Sequence, residues 1–345
     1  MIFASDNTGP IHPSVMEAVV AANTYAMPYG NDPISDAARD GIRTLFEAPE
    51  ASVHLVATGT AANALALAAL CNPWEAVFCH RVAHVEEDEG GAPEFYTGGA
   101  KLRLVDGADG KMTPDALRTA MTATGPSVHS VQRGPVTITN ITELGTVYSV
   151  DEITALCDVA HAFGSQVHLD GARFANACAA LGCTPAQMTW EAGVDAVTFG
   201  GTKNGCMGVE AVIFFNPAKA WELEMRRKRG GHLWSKYKFL SAQMQAYVTD
   251  DLWLTMAQAA NARCAELAAG LRDVPGARIA HDPAGNMIFA DLPRAAHARA
   301  VAAGARYYLF GADEGPDDEL VRCRLVCDWS CTSDAVQQAL TLWRG

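Results

Sequence analysis

The sequence predicts an α/β protein with a mostly parallel sheet covered on both faces by helices, followed by a smaller α+β domain. Three observations carry that reading. Short apolar runs alternate with helix-like segments from about residue 50 to residue 215, as parallel strands joined by crossover helices do. The pattern changes after Lys219. The chain has 345 residues, nearly half of them apolar, which suits a large core and two domains and rules out a disordered protein.

The elements follow in order. Val53-His54-Leu55-Val56-Ala57-Thr58 reads as the first strand, and Gly59-Thr60 opens a helix that continues through residues 61–70. Strands are expected at residues 77–79, 102–105 and 136–140. A helix over 150–163 carries Asp151 and Glu152 at the end where its dipole favours negative charge. Residues 166–170, 195–199 and 212–215 complete this set of strands. Beyond Lys219, residues 257–271 read as an alanine-rich helix, and 286–290, 306–310 and 320–326 as strands. A helical stretch separates the first two of these strands, and a last helix spans 332–343. The expected division is an N-terminal segment and large domain over 1–244 and a small domain over 245–345. No internal repeat or low-complexity linker interrupts it.

Charge and cysteine usage exclude several functions. A net charge of −13 argues against a nucleic-acid surface. The one dense basic run, Arg226-Arg227-Lys228-Arg229, is expected on a helix starting near Ala218, as a solvated or subunit-facing patch. No apolar segment has the length of a membrane span, and the N-terminus lacks the basic start of a secretion signal. The ten cysteines include no Cys-x-x-Cys pair, which suits reduced thiols in a cytoplasmic enzyme. Cys323, Cys327 and Cys331 recur at intervals of four, but no histidine or carboxylate cluster joins them, so no metal is expected.

The chemistry is concentrated at two strand ends. Asp170 closes the run 166–170 and leads into Gly171-Ala172-Arg173; Lys203 follows the run 195–199 inside Gly200-Gly201-Thr202-Lys203-Asn204-Gly205. Open α/β sheets bind ligands at the carboxyl ends of their strands. A carboxylate and an amine offered there suit pyridoxal phosphate (PLP), the lysine forming a Schiff base and the aspartate keeping the pyridine nitrogen protonated. Taken singly, such an aspartate is more often a turn residue and such a lysine a surface one. The pair gains weight from its company. Gly59-Thr60 starts a helix whose backbone N–H groups can bind a phosphate, although a threonine there also serves as an ordinary cap. Thr202 can add a hydroxyl. His84 follows a strand, where an imidazole can stack on an aromatic cofactor and carry protons; the acids after it otherwise read as a solvated helix start. Arg173 and Arg324 can clamp a carboxylate from two domains. No Gly-x-Gly-x-x-Gly follows a strand, so a dinucleotide fold has little support.

These segments, with Ser5-Asp6-Asn7-Thr8, Tyr29-Gly30-Asn31-Asp32-Pro33, Thr58-Gly59-Thr60-Ala61-Ala62-Asn63 and Ala83-His84, resemble the low-specificity L-threonine aldolases, PLP enzymes of fold type I in the β-eliminating lyase group. The resemblance runs in order along essentially the whole chain into Arg322-Cys323-Arg324-Leu325-Val326. It implies a seven-stranded sheet and a role for each matched residue. Lys203 would hold PLP, Asp170 would pair with its ring nitrogen, and Gly59, Thr60 and Thr202 would bind its phosphate. His84 would stack on the ring near the substrate hydroxyl, with His129 as a second histidine there. Ser5, Arg173 and Arg324 would hold the substrate carboxylate, Arg173 standing beside the cofactor as well. Tyr29 would enter from a neighbouring subunit, in a homotetramer. Asn31, Asn140 and Cys206-Met207 depart from other members.

The implied reaction is retro-aldol cleavage of L-threonine, L-allo-threonine or a related L-3-hydroxy-α-amino acid to glycine and an aldehyde. Phenylserine cleavage, β-elimination or transamination on the same fold, and a non-catalytic PLP-binding protein, are the alternatives. The Asp170–Lys203 pair alone does not separate them, because the cofactor does the electronic work.

Overall fold

A computed structural model describes residues 1–312 and 314–345. Eleven strands are found among them: β1 (Ser52–Val56), β2 (Glu75–His80), β3 (Lys101–Val105), β4 (Gln132–Thr139), β5 (Val167–Gly171), β6 (Ala196–Gly200), β7 (Glu210–Phe214), β8 (Arg278–Ile279), β9 (Met287–Pro293), β10 (Tyr308–Phe310) and β11 (Leu320–Val326). The first seven form one sheet in the order β1-β7-β6-β5-β4-β2-β3. Only β7 runs against its neighbours, pairing antiparallel with both β1 and β6. The last four form an antiparallel sheet, β10-β11-β9-β8.

Register decides where chemistry can gather. Thr139 pairs with Asp170, Asp170 with Thr198, and Gly200 with Glu210, which in turn pairs with Val56. The segments following β1, β4, β5 and β6 therefore leave the sheet side by side, and reversed β7 begins at that same end. Helices cover both faces because the strands are apolar on both sides. The helix Gly59–Leu70 is buried from Ala61 onward, as a helix apolar all round must be. Its N-cap is Thr58, whose hydroxyl accepts from Ala61 N at 3.2 Å. The helix Val150–Ala162 begins with a capping box from Ser149 and Glu152.

Beneath the Asp170 and Lys203 strand ends lies an aromatic knot. Phe199 of β6 meets Phe46 and Phe174 edge-on, with centroids 5.3 and 5.5 Å apart. Gly200 follows because a Cβ there would sit 2.6 Å from Ala172 O. A second core combines Phe3, Leu267, Leu271, Ile288, Leu292, Leu325 and Trp343. The helix Leu252–Leu271 serves both, with Trp253, Met256 and Ala257 in the first core and Cys264 onward in the second. The two cores thus part inside this helix, later in the chain than the expected division between 244 and 245. Residues 1–3, expected with the large domain, lie on the small sheet: Val326 N donates to Phe3 O at 2.9 Å.

The basic run lies on the helix Ala220–Arg229, but it is not simply a solvated patch. Arg227 is buried, donating to Glu224, Leu55 O and Tyr237 Oη at 2.8–3.0 Å. Its neighbours Lys228 and Arg229 are exposed. No helix among the described residues is long and apolar enough to cross a membrane.

Candidate active site

The strand ends deliver Asp170, Lys203, Arg173 and His84 to one place. Asp170 is 1% exposed. Its Oδ1 accepts from Ala172 N at 3.0 Å, and its Oδ2 accepts from Asn63 Nδ2 at 2.9 Å. Lys203 sits in the short turn Thr202–Asn204 after β6. Burial, with Arg173 nearby, holds its ammonium below the usual lysine range, while Asp6, Asp170 and Glu210 pull the other way. Lys203 makes no ion pair or hydrogen bond among the described residues. A partly buried amine without a partner, facing a buried carboxylate on the next strand, is a donor set suited to covalent attachment of an electron-accepting ring.

The phosphate end has a matching surface. Because Thr58 supplies the cap, the Thr60 hydroxyl makes no bond of its own among the described residues. A Cβ added at Gly59 would meet nothing within 4 Å, so an anion can approach the helix N-terminus closely. Thr202 is placed differently from expectation: its hydroxyl accepts from Val209 N at 3.1 Å and lies against the buried Glu210.

The arginines divide their work. Arg173 grips Asp6 through Nε and Nη2, at 2.6 and 3.0 Å. Burial pushes the Asp6 carboxyl up, but Arg173 and Lys203 outweigh it and leave it lowered. Asp6 also accepts from Asn286 at 3.1 Å, so the N-terminal segment bridges the two sheets. Ser5 caps the short turn Asp6–Thr8 and accepts from Asn7 N. Arg324 stands close enough to Arg173 for that charge, after burial, to lower its pKa. Its buried Nε has no partner, and its guanidinium lies 4.7 Å from the Tyr308 ring centre. Two adjacent guanidinium groups, with the Arg324 Nε among their unspent donors, form a receptor for a carboxylate.

His84 opens the short helix His84–Glu87 beyond β2. Its Nδ1 lies 2.9 Å from Glu89 Oε1, and its backbone N–H donates to Glu143 Oε1 at 2.6 Å. The Glu89 contact raises the His84 pKa against the opposing effect of burial. Burial, with Asp170 nearby, pushes Glu143 up to about 7, and burial does the same to Glu210.

His129 stands elsewhere, and Tyr29 lies outside its own subunit's site, as a residue reaching a neighbouring subunit would. His129 lies on an exposed loop before β4, whereas the site gathers after that strand. The segment after β4 presents Glu143 to His84 instead. Tyr29 lines a groove with Arg39, His54, Trp221 and Lys228, away from Asp170 and Lys203 within the subunit. It holds a left-handed backbone at φ +60°, its ring 5.1 Å from the Lys228 ammonium. Asn140, one of the departures from other members, spends its side chain on the Tyr148 backbone at 3.1 and 3.2 Å.

Asn63, Glu89, Glu143, Glu210 and the pairing of Asp6 escaped the sequence reading. Glu89 follows three exposed acids, so composition hides it among solvated charges. The signal available was distance from a strand end: Glu143 follows β4 and Glu210 opens β7.

The chain is similar to known proteins along nearly its whole length. The profile of the Beta-eliminating lyase family matches residues 3–294. A low specificity L-threonine aldolase of Pseudomonas aeruginosa is 42% identical over 338 residues, covering 97% of this chain and 95% of the relative. A threonine aldolase structure from Leishmania major superposes with a TM-score of 0.91 at 28% identity, over 99% of this chain and 98% of that one. A solved structure of SPT with PLP aligns with a TM-score of 0.72 at 14% identity, over 100% of this chain and 86% of its own, a likeness of fold.

Proposed function

The chain belongs to the beta-eliminating lyase family, and from that premise we propose that it cleaves L-threonine and related L-3-hydroxy-α-amino acids to glycine and an aldehyde. It is a PLP-dependent carbon–carbon lyase. The observation that carries this reading is the unpartnered Lys203 amine beside the buried carboxylate of Asp170, at the ends of adjacent strands. Bound PLP supplies an electron sink for the pair released when the Cα–Cβ bond breaks.

The residues divide the remaining work. Lys203 would carry the cofactor on its amine, Asp170 would face the ring nitrogen, and the helix start at Gly59 and Thr60 would take the phosphate. Arg324, with the free edge of Arg173, orients the substrate through its carboxylate. His84 takes the hydroxyl proton of the substrate, a step usually worth about 10²–10⁴-fold. The half-buried site limits water, which strengthens every charge contact within it. An imidazole poised beside Asp170 and Lys203 favours a β-hydroxyl substrate over simple elimination.

We assign the enzyme to the cytoplasm and to a homotetramer in which Tyr29 reaches a neighbour's site. The exposed Tyr25, Met27 and Tyr29 support an interface on that segment, and ten free cysteines suit a reducing compartment. The test is product analysis with PLP-saturated protein and L-threonine or L-allo-threonine. Glycine and acetaldehyde in equal amounts support aldol cleavage; ammonia with a keto acid would replace it with elimination.

A further inference from the structure

Glu89 is 6% exposed, while Glu86, Glu87 and Asp88 before it face solvent. Its Oε1 meets two partners, His84 Nδ1 at 2.9 Å and Asn63 Nδ2 at 2.8 Å. Its Oε2 has none among the described residues. Asn63 Nδ2 also donates to Asp170 Oδ2 at 2.9 Å. Turning the Asn63 amide over would set its carbonyl oxygen against two carboxyl groups, so the NH₂ must face them. A carboxylate oxygen only accepts, so the imidazole donates to it through Nδ1 and leaves Nε2 with a lone pair. Burying an acid in this way costs desolvation that two donors on one oxygen repay only in part. The group makes sense as an orienting device for the histidine rather than as a source of stability.

We propose that Glu89 is a positioning residue of the lyase. It holds His84 in the Nδ1–H tautomer and, through Asn63, ties the imidazole to Asp170, so that Nε2 is the atom that takes the β-hydroxyl proton. This rests on the aldol-cleavage reading above. The charged groups facing His84 are Glu89 on its own segment, Asp170 at the end of β5, Glu143 after β4 and Lys203 after β6. Glu143 binds the backbone of His84 and leaves the ring's Nδ1 to Glu89. Losing the Glu89 carboxylate removes the largest influence raising the imidazole pKa. The base works unprotonated, so the acid limb of the activity profile must then move to lower pH.

The test compares wild type, Glu89→Gln and Glu89→Asp as PLP-saturated protein. Three readouts are taken: the pH profile of kcat/KM for threonine cleavage, the visible absorbance of bound PLP, and ¹⁵N NMR of histidine-labelled protein with His84→Asn for assignment. Glu89→Gln is expected to keep its cofactor and lose about 10²-fold in kcat, as small misplacements of a reacting group do. Its acid limb shifts to lower pH, and Glu89→Asp restores part of the rate. Wild-type His84 shows the Nδ1–H tautomer when neutral. A Glu89→Gln profile unchanged from wild type, or a wild-type His84 in the Nε2–H tautomer, overturns the proposal. The tautomer is read on wild-type protein, so the proposal stays open to refutation even if Glu89→Gln does not fold. A wild type that makes no glycine from threonine instead refutes the aldol reading, which the tautomer measurement does not touch.

Discussion

Replacing Asp6 with alanine should cost this chain more than any surface ion pair would. The Asp6 side chain has no exposed area, and its partner Arg173 keeps only 13% of its own. Arg173 spends two donors on Asp6, at 2.6 and 3.0 Å, and Asn286 spends a third at 3.1 Å. Removing the carboxylate leaves a buried guanidinium uncompensated, a change that costs about 3–5 kcal/mol. Asp6→Asn keeps the shape and removes only the charge, so most of the loss should remain. The assay is urea unfolding followed by tryptophan fluorescence and far-UV circular dichroism at one PLP concentration, since ligand binding shifts the midpoint. The pair also sets a pH window. Arg173 and Lys203 outweigh burial and hold Asp6 below its ordinary 3.8. Its contribution is therefore complete above pH 3.8 and fades as pH falls through the lower folded value. A loss below about 1 kcal/mol, the range of exposed pairs, would show that Arg173 relaxes into solvent, and would refute the bridge between the N-terminal segment and the sheet.

Other expectations concern separate parts of the molecule. Arg324→Ala should raise KM for threonine and lower kcat/KM by about 10- to 100-fold, because a charged hydrogen bond is worth about 1.5–3 kcal/mol; unchanged kinetics would remove Arg324 from the clamp. His129→Ala should leave kcat and KM within error of wild type, since its loop lies before β4; a large fall in kcat would bring that loop back into the site. Phe199→Ala empties the centre of the aromatic knot and should cost about 3–5 kcal/mol by thermal or urea unfolding, and a loss under about 1 kcal/mol would mean the site's floor collapses without strain.

Much of the candidate site is legible because its residues sit at strand ends, where an apolar run stops and a charged residue follows. Asp170 and Lys203 announce themselves in this way, and Gly200 marks the close approach of Ala172 O. The parallel sheet was legible from the same runs. The antiparallel course of β7 was not, since a strand buried on both faces reads alike in either direction. What stayed hidden depended on contacts between distant segments. Asp6 meets Arg173 across 167 positions, and Asn63 meets Asp170 across 107. Glu89 looked like one more acid in a charged run until burial set it apart. His129 was placed by resemblance alone, although the apolar run 136–140 already put it before a strand whose far end carries the candidate site. Arg227 shows the converse: a basic run predicts solvent, but one member of its helix faces inward and pairs with Glu224.

The most direct test of the central claim is to reduce the PLP-saturated protein with borohydride, digest it, and locate the peptide that carries the cofactor's mass. The account predicts a single modified residue, Lys203, with no modification in Lys203→Ala. Cofactor fixed to a different lysine, or a wild-type protein that takes up no PLP at all, would contradict it.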